Sequence, residues 1–417
     1  MQTNLTESLR DTPAGIDAEA ILRTCTHCGF CLSACPTYQL LGDELDSPRG
    51  RIYLIKQMLE GAPVTDKTQL HLDRCLTCRS CETTCPSGVQ YGHLVDIGRG
   101  IVEQQVERKI IQSLQRDLLR KLLTKPAIFS GLLWLGRAVR PVLPAAWKKS
   151  VPTGEVAGKW PQTNHPRTML VLDGCVQPSL QPNINNATAR LLDRLGISLV
   201  LARQAGCCGA VSHHLNAQQE GLDFMRRNID AWLPYLDQGA EAIVMTASGC
   251  GVTVKEYGHL LKNDPNYVDK AVRVSEATKD ISEVLLLEQA GMDKLLGRVD
   301  NNQKTPPAKL AFHSPCTLQH GQKITDVIES MLSAAGFELT TVPDQHLCCG
   351  SAGTYSILQK ELSQQLLKNK VDALESGVPA CIATANIGCL THLQSGTAIP
   401  VRHWVELLDE RLSKSTS

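Results

Sequence analysis

The sequence predicts an α/β multidomain protein in which a helical domain is followed by two repeated α/β lobes. Three observations lead to this prediction. One four-cysteine motif occurs twice near the N-terminus, at residues 25–35 and 75–85. A different cysteine pattern occurs twice in the rest of the chain. Within each copy of that pattern, short apolar runs alternate with stretches of helical periodicity, which favours a largely parallel sheet.

The N-terminal motif reads C-x-x-C-x-x-C-x-x-x-C-P in both copies. Three thiolates at this spacing can bind three corners of one iron–sulfur cube, and the fourth, followed by proline, reaches a second cube. The motif therefore predicts two [4Fe-4S] clusters with crossed ligation in a ferredoxin-type domain. The expected ligands are Cys25, Cys28, Cys31 and Cys85 for cluster 1, and Cys75, Cys78, Cys81 and Cys35 for cluster 2.

Structural zinc and disulfide bonds are the alternatives for these cysteines. Zinc needs only four ligands in two pairs and does not account for the doubled motif. Disulfides are disfavoured because the first residues show no basic-then-apolar signal segment, and a chain of 417 residues does not need such cross-links. We therefore expect a reducing, cytoplasmic environment.

Residues 1–106 are predicted to form the helical ferredoxin-type domain. Apolar side chains at helical spacing between Arg51 and Glu60, ahead of Gly61, predict a helix that joins the two motifs. Two basic residues, Arg49 and Arg51, lie between the motifs. We interpret them as surface arginines; the alternative is that they tune a cluster or contact a partner.

Residues 107–167 are predicted to form a basic amphipathic helix and a linker. From Arg108 to Lys149 the chain has ten Lys or Arg and one acidic residue, Asp117. The apolar residues from Ile110 to Leu123 are spaced to form one helical stripe. We expect the stripe to pack on the ferredoxin-type domain and the basic face to be solvated; docking on anionic lipid or on a partner is the alternative. Prolines and glycines from Ser150 to Arg167 indicate the linker.

An internal repeat divides the remainder into lobes at residues 168–300 and 301–417. In the first copy Cys175 precedes Cys207-Cys208-Gly209 by 32 residues, and in the second Cys316 precedes Cys348-Cys349-Gly350 by the same interval. Each copy then has a later cysteine, Cys250 or Cys389, and a closing helix with a glutamate at the same position, Glu283 or Glu406.

The repeat cysteines follow predicted strands, so we expect the sheet to bring them together at one edge. The first set is Cys175, Cys207, Cys208 and Cys250, and the second is Cys316, Cys348, Cys349 and Cys389. Each set is a candidate additional cluster or metal site, and thiolate chemistry does not distinguish iron–sulfur from zinc. Nearby histidines are further candidate ligands: His213, His214, His313, His320 and His346. Cys381 has no counterpart and is predicted to be a core residue.

The sequence lacks the motifs that are typical of several other classes of protein. The chain has no G-x-G-x-x-G loop after a strand, no P-loop and no H-E-x-x-H helix, so it shows no dinucleotide, phosphate or hydrolytic zinc site of its own. Basic and acidic residues balance at 42 each, which gives no indication of nucleic-acid binding. No run of eighteen apolar residues occurs.

Two four-cysteine motifs followed by two cysteine-rich repeats resemble the family of glycolate oxidase iron–sulfur subunits, which has relatives in anaerobic glycerol-3-phosphate dehydrogenase, lactate-utilisation complexes and heterodisulfide reductase. The likeness covers nearly the whole chain. The stretches that carry it are Cys25–Cys31, Pro48–Tyr53, Leu72–Pro86, Ala205–Gly209 and Leu347–Gly353.

The resemblance implies an iron–sulfur electron-transfer subunit of a glycolate (2-hydroxy acid) dehydrogenase. Flavin-containing partner subunits would hold FAD and oxidise the substrate, and this chain would carry the electrons toward a membrane acceptor such as quinone. It also implies a location on the cytoplasmic face of the inner membrane. The alternative is a disulfide or quinone reductase like heterodisulfide reductase. That alternative is weakened because Ala247 and Asn386 stand where its fuller motif has cysteines.

Overall fold

The computed structural model describes residues 1–144, 152–297 and 309–414. The N-terminal part is helical, as the sequence predicts. Its helices α1 to α7 are Glu7–Arg10, Pro13–Thr24, Pro36–Leu41, Pro48–Leu59, Asp66–Asp73, Ser80–Thr83 and Tyr91–Gln105, with a 3-10 turn at Glu44–Asp46. Their core consists of apolar residues from several helices, including Leu22, Ile55, Leu59 and Leu94.

Helix α4 joins the two cysteine motifs, and local chemistry fixes where it begins. The Ser47 hydroxyl accepts a hydrogen bond from the Gly50 N–H at 2.9 Å, and Pro48 occupies the first helical turn. A Cβ on Gly50 would lie 1.9 Å from the Glu44 carbonyl oxygen, so this position excludes other side chains. Helix α4 thus starts tightly against the segment that follows the first motif.

Residues 110–139 form a helical hairpin, and its orientation contradicts our expectation. It consists of α8 (Ile110–Leu123) and α9 (Pro126–Val139), followed by a 3-10 turn at Arg140–Val142. The predicted stripe is divided. Ile110, Ile111, Leu114 and Leu118 are exposed, whereas Arg108 and Arg116 point inward with side chains only 6% and 12% exposed. The prediction of a solvated basic face was therefore wrong for Arg108 and Arg116, whereas Lys109, Lys121 and Lys125 are exposed.

The first lobe has a four-stranded parallel sheet with the order β2-β1-β3-β4. Its strands are β1 (Arg167–Val171), β2 (Ile197–Leu201), β3 (Ile243–Met245) and β4 (Thr278–Asp280). Its helices α10 to α18 are Gln177–Leu180, Asn183–Arg194, Ala210–His214, Gln218–Asp237, Ser248–Lys255, Tyr257–Leu260, Val268–Ala277, Ile281–Leu287 and Gln289–Leu296.

The second lobe repeats this topology with the strand order β6-β5-β7-β8, again all parallel. Its strands are β5 (Lys309–His313), β6 (Glu338–Leu339), β7 (Cys381–Thr384) and β8 (Val401–His403). Its helices α19 to α23 are Val327–Ala334, Tyr355–Leu358, Lys360–Glu375, Ile387–Gly396 and Trp404–Lys414, with a π-helical turn at Thr317–Gly321. The α/β fold class with two repeated lobes is confirmed.

The two lobes pack through one continuous apolar core. Val171, Leu192 and Val284 of the first lobe belong to the same buried cluster as Phe312 and Trp404 of the second. Buried polar contacts also cross this interface. The His403 Nε2 donates a hydrogen bond to the Thr246 carbonyl oxygen at 2.9 Å, and the Asn183 side-chain amide donates to the Glu406 carboxylate at 2.7 Å. The lobes therefore form one packed unit.

The predicted domain boundaries at 106/107 and 167/168 lie close to element ends, since α7 ends at Gln105 and β1 begins at Arg167. Three predicted features lie outside the described residues: the boundary at 300/301, part of the linker near Ser150, and the basic residues Lys148 and Lys149. Among the helices described, none combines the length and apolar character needed to cross a bilayer.

Candidate iron–sulfur sites

The structure separates the eight N-terminal cysteines into two neighbouring groups. One cavity is lined by Cys25, Cys28, Cys31 and Cys85. The adjoining cavity is lined by Cys35, Cys75 and Cys78, and Cys81 lies at the boundary of both. This is the grouping that crossed ligation requires, because Cys85 lies with the first motif and Cys35 with the second. The ligation itself remains a prediction.

Equivalent loop residues have the same backbone conformation in the two motifs. His27 and Thr77 both have positive φ, 58° and 51°, and so do Gly29 and Arg79, at 89° and 62°. Left-handed backbone is costly for residues other than glycine, so its occurrence at the same motif positions indicates a shared constraint. A loop that turns three thiols toward one point provides such a constraint.

Burial favours the protonated form of three of these thiols when no metal is bound. It raises the pKa of Cys31 to about 11, and it also raises the pKa of Cys78 and Cys81. Such thiols are neutral at pH 7, and a coordinating metal ion is what makes a buried cysteine a thiolate. Two neighbouring groups of soft sulfur ligands fit a pair of [4Fe-4S] clusters.

Arg51 is not a surface arginine as we had expected. Its side chain is 1% exposed, and its Nη2 lies 3.2 Å from the fully buried Asp46 carboxylate. The Arg51 Nη1 donates to the Thr37 hydroxyl at 3.1 Å, and that oxygen lies 3.3 Å from the Cys35 sulfur. Arg51 thus places a buried positive charge next to Cys35, a predicted ligand of cluster 2. Arg49 remains partly exposed and pairs with Glu44 at 2.8 Å.

The four cysteines of each lobe gather at the carboxyl edge of its sheet. In the second lobe the sulfur atoms of Cys316 and Cys348 are 3.9 Å apart. In the first lobe, hydrogen bonds from the Cys175 and Cys208 thiols lower the pKa of Cys207. A large cavity of about 1060 Å³ is lined by both sets, and Cys349 is absent from its lining.

Backbone conformation and close packing explain why a glycine follows each cysteine pair in the C-C-G pattern. Gly209 and Gly350 have φ values of 91° and 89°. A Cβ at either residue would lie 2.7 Å from a helix carbonyl oxygen, that of Gly221 or Ser363 respectively. Only glycine satisfies both the left-handed backbone and this close approach. The repeated motif therefore has a packing cause in both lobes.

The candidate histidines have different environments. His313 is buried, and one of its ring nitrogens lies with the sulfurs of Cys349 and Cys389, all within 4.8 Å of one another. His320 bonds to Thr83 and to the His346 carbonyl oxygen, which is a structural role. His213 and His214 instead lie near Asp96, an acid that is 16% exposed and belongs to none of the sequence motifs.

The two lobes have different residues at the position where the fuller heterodisulfide-reductase motif has an additional cysteine. Asn386 lies at the start of α22, and its amide donates a hydrogen bond to the Cys389 sulfur at 3.5 Å. Ala247, at the equivalent place in the first lobe, is buried and has no such donor. Cys381 is partly buried against the shared core and is separate from the other thiols of its lobe in sequence and in packing.

The fold and these sites define an iron–sulfur protein with a dicluster domain and two cysteine-rich repeats. Residues 21–89 match the model of the 4Fe-4S dicluster domain, and residues 169–255 and 310–394 match that of the cysteine-rich domain. The chain belongs to the family of glycolate oxidase iron–sulfur subunits, and the resemblance drawn from its motifs is confirmed.

Three relatives show the range of similarity. The glycolate oxidase iron–sulfur subunit of Escherichia coli K12 is 56% identical, over 99% of this chain and the whole of the relative. A probable glycolate oxidase iron–sulfur subunit of Bacillus subtilis is 31% identical over 96% of both chains. Lactate utilization protein A of Bacillus licheniformis is 28% identical, over 57% of this chain and 97% of the relative.

Proposed function

We propose that this chain is the electron-transfer subunit of a complex that oxidises glycolate, and related short 2-hydroxy acids, to the 2-oxo acid. Partner subunits that hold FAD oxidise the substrate, and this chain takes the electrons onward to an acceptor in the membrane such as quinone. The names of the full-length relatives support the substrate. The observation that carries the proposal is the adjacency of two four-thiol groups that share Cys81 at their boundary.

When bound at these groups, [4Fe-4S] clusters would supply one-electron transfer. The residues of the chain provide the two ends of the route. At cluster 1, Cys28 is exposed and the neighbouring Phe30 is 63% exposed, which suits docking of a flavin-bearing partner. At cluster 2, Cys75 and Cys78 line both their own cavity and the large cavity between the lobes.

The repeat cysteines lie next to cluster 2. Cys316 and Cys348 share an apolar cluster with Leu76, and Cys78 packs against it. The Tyr355 hydroxyl of the second lobe donates to the Arg74 carbonyl oxygen at 3.1 Å, which fixes this lobe beside the second motif. Any metal or cluster held by the repeat thiols would therefore be a neighbour of cluster 2.

Attachment to the cytoplasmic face of the inner membrane is the second part of the proposal, and the hairpin supports it. Its outer face presents large apolar side chains, among them Ile110 at 86% and Trp134 at 71% exposure. Lys109, Lys121 and Lys125 are exposed beside that face and form no ion pair with any described residue. An apolar helical face with a lysine rim is typical of a surface that lies on an anionic bilayer.

Turnover assays test the electron-transfer assignment. We expect the purified chain to leave glycolate unoxidised in the presence of ferricyanide, and to support its oxidation only together with flavin-bearing partners. Glycolate turnover by the flavin-free chain alone would instead favour an enzyme acting at the cysteine-rich repeats.

Flotation with vesicles tests the membrane assignment. The double variant Leu114→Glu with Leu118→Glu should lose binding to phosphatidylglycerol vesicles. The matched control is Ile16→Glu with Leu70→Glu, which changes exposed apolar residues of the ferredoxin-type domain and should leave binding intact. Equal binding by both double variants would contradict docking through the hairpin.

A further inference from the structure

The large cavity adjoins the second cysteine motif and is lined by apolar side chains together with several charged and polar ones. Cys75 and Cys78 line it on the side of the ferredoxin-type domain. The inner face of the hairpin closes it with Leu123, Phe129 and Leu133. Its volume of about 1060 Å³ is at the upper end for cavities that hold small organic ligands. The cavity therefore has room for an organic molecule next to the second cysteine motif.

One group of polar side chains in its wall is centred on Glu256. The Glu256 carboxylate is paired with Arg79, the residue that follows Cys78, and it lies 3.4 Å from the His93 Nε2. The His93 ring stacks on His259 with their centroids 4.0 Å apart. The His93 Nδ1 is buried and has no hydrogen-bond partner among the described residues. This group therefore leaves an unused imidazole nitrogen in the wall of the cavity.

A second group is centred on Asp96. Its Oδ1 lies 3.3 Å from the His214 Nδ1, its Oδ2 lies 3.8 Å from the His213 Nε2, and its third neighbour is Arg99 at 3.6 Å. Arg99 in turn donates to the Cys75 carbonyl oxygen at 2.6 Å. Although burial opposes it, Asp96 raises the pKa of His214. The wall thus has two carboxylate–histidine groups. In each group an arginine contacts the carboxylate and lies beside a predicted ligand of cluster 2. Arg79 follows Cys78 in the sequence, and Arg99 donates to the Cys75 carbonyl oxygen.

We propose that this cavity is a quinone-reduction site in which the two carboxylate–histidine groups each deliver one proton. This inference rests on the proposed function, which supplies the electrons. A quinone accepts two electrons and two protons, and each of its C=O groups becomes a C–OH. The electrons come from the 2-hydroxy acid through reduced flavin and this chain. The protons come from the imidazoles beside Glu256 and Asp96.

The chemistry of the wall favours a quinone over other two-electron acceptors. An apolar lining suits a lipid-soluble ring, and two separate proton donors match its two oxygens. The cavity lies beneath the hairpin whose outer face we assign to the bilayer, so a lipid-soluble acceptor would be dissolved close to it.

Binding tests the site independently of turnover. An azido-substituted quinone should photolabel peptides that contain residues 91–99 and 251–262 of the full chain in its complex, and ubiquinone-1 should compete with it. The variant Leu260→Trp, which fills the cavity wall, should reduce labelling without changing the iron content. Labelling confined to other peptides would overturn the proposal.

Turnover with two acceptors tests the proton donors. His93→Gln, Glu256→Gln and Asp96→Asn should each lower reduction of ubiquinone-1 by at least about tenfold. Reduction of ferricyanide, which takes no proton, should stay within about twofold of the parent, because one-electron transfer needs no acid. His165→Gln is the matched control, since His165 is paired with Asp193 outside this cavity.

The outcomes separate the two proposals. Unchanged quinone reduction in all three variants, or equal losses with both acceptors, would overturn the quinone site. Failure of glycolate to reduce either acceptor in the parent complex, despite specific quinone labelling, would instead contradict the proposed electron-transfer function and leave the binding site standing.

Discussion

Arg116 of the hairpin forms an ion pair with Asp73 of the ferredoxin-type domain, with 3.0 Å between its Nη2 and the Asp73 Oδ2. Arg108 contacts the same carboxylate. Helix α8 is therefore held to the protein through basic residues at and before its start, and its side chains Ile110, Ile111, Leu114 and Leu118 are left outward. This orientation reverses the usual arrangement of a surface helix in a soluble protein.

Removing the Arg116 guanidinium should loosen the hairpin. We expect Arg116→Ala to cost about 2 kcal/mol of local stability, because Asp73 is mostly buried and loses one charged partner. Hydrogen exchange of residues 110–123 measures this loss, and Arg23→Ala, at an exposed pair, is the control. Unchanged protection in the Arg116 variant would show that apolar contacts alone hold α8.

Crossed ligation makes a specific prediction for Cys35. Cys35→Ser should damage the cluster held by Cys75, Cys78 and Cys81 and leave the other intact, because Cys35 lines the cavity of the second motif. Electron paramagnetic resonance of the reduced protein distinguishes the two clusters. Cys381→Ser should leave both signals unchanged. If the cluster at Cys25 to Cys31 alone is altered in Cys35→Ser, ligation is not crossed.

The buried charge of Arg51 should matter far more for stability than that of Arg49. Arg51→Leu removes one partner from the fully buried Asp46, at an expected cost of about 3 kcal/mol. Arg49→Ala breaks a partly exposed pair and should cost less than about 1 kcal/mol. Chemical denaturation of the cluster-loaded chain measures both values. Similar losses in the two variants would contradict the assigned burial.

The interface between the lobes should weaken in acid through His403. Burial lowers the pKa of His403 from 6.5 to about 4, so folding favours its neutral form. Its contribution is therefore fully present above pH 6.5 and is lost as the pH falls toward 4, by up to about 3 kcal/mol. The stability difference between the parent and His403→Gln should shrink over this range. A difference that stays constant between pH 7 and pH 4 would contradict this linkage.

The sequence predicted the features that depend on spacing. The doubled cysteine motif, the repeat and the apolar runs correctly indicated a helical domain and two parallel sheets, because these patterns reflect local geometry. The inward orientation of Arg116 and the burial of Arg51 were not predictable, because each depends on an acid distant in sequence, Asp73 or Asp46. Helix α9 was missed because the prolines and glycines around it resemble a break in structure.

The sequence indicated only His213 and His214 among the groups around Asp96 and Glu256, and it indicated them as metal ligands. Their members come from separate parts of the chain, and a lone histidine or carboxylate gives no periodic signal. The arginine after Cys78 and the histidines after Cys208 were the available clues, since both lie a few residues beyond a predicted ligand. Only the packing of the first lobe on the ferredoxin-type domain brings them together.

Rapid-freeze electron paramagnetic resonance of the assembled complex tests the central claim most directly. After glycolate is mixed with the complex in the absence of an acceptor, we expect signals of reduced [4Fe-4S] clusters to appear, and to disappear when an acceptor is added. The chain without the proposed flavin-bearing partners should show no such reduction by glycolate. Oxidation of glycolate by the complex while both clusters remain oxidised throughout turnover would contradict the assignment of this chain as the electron carrier.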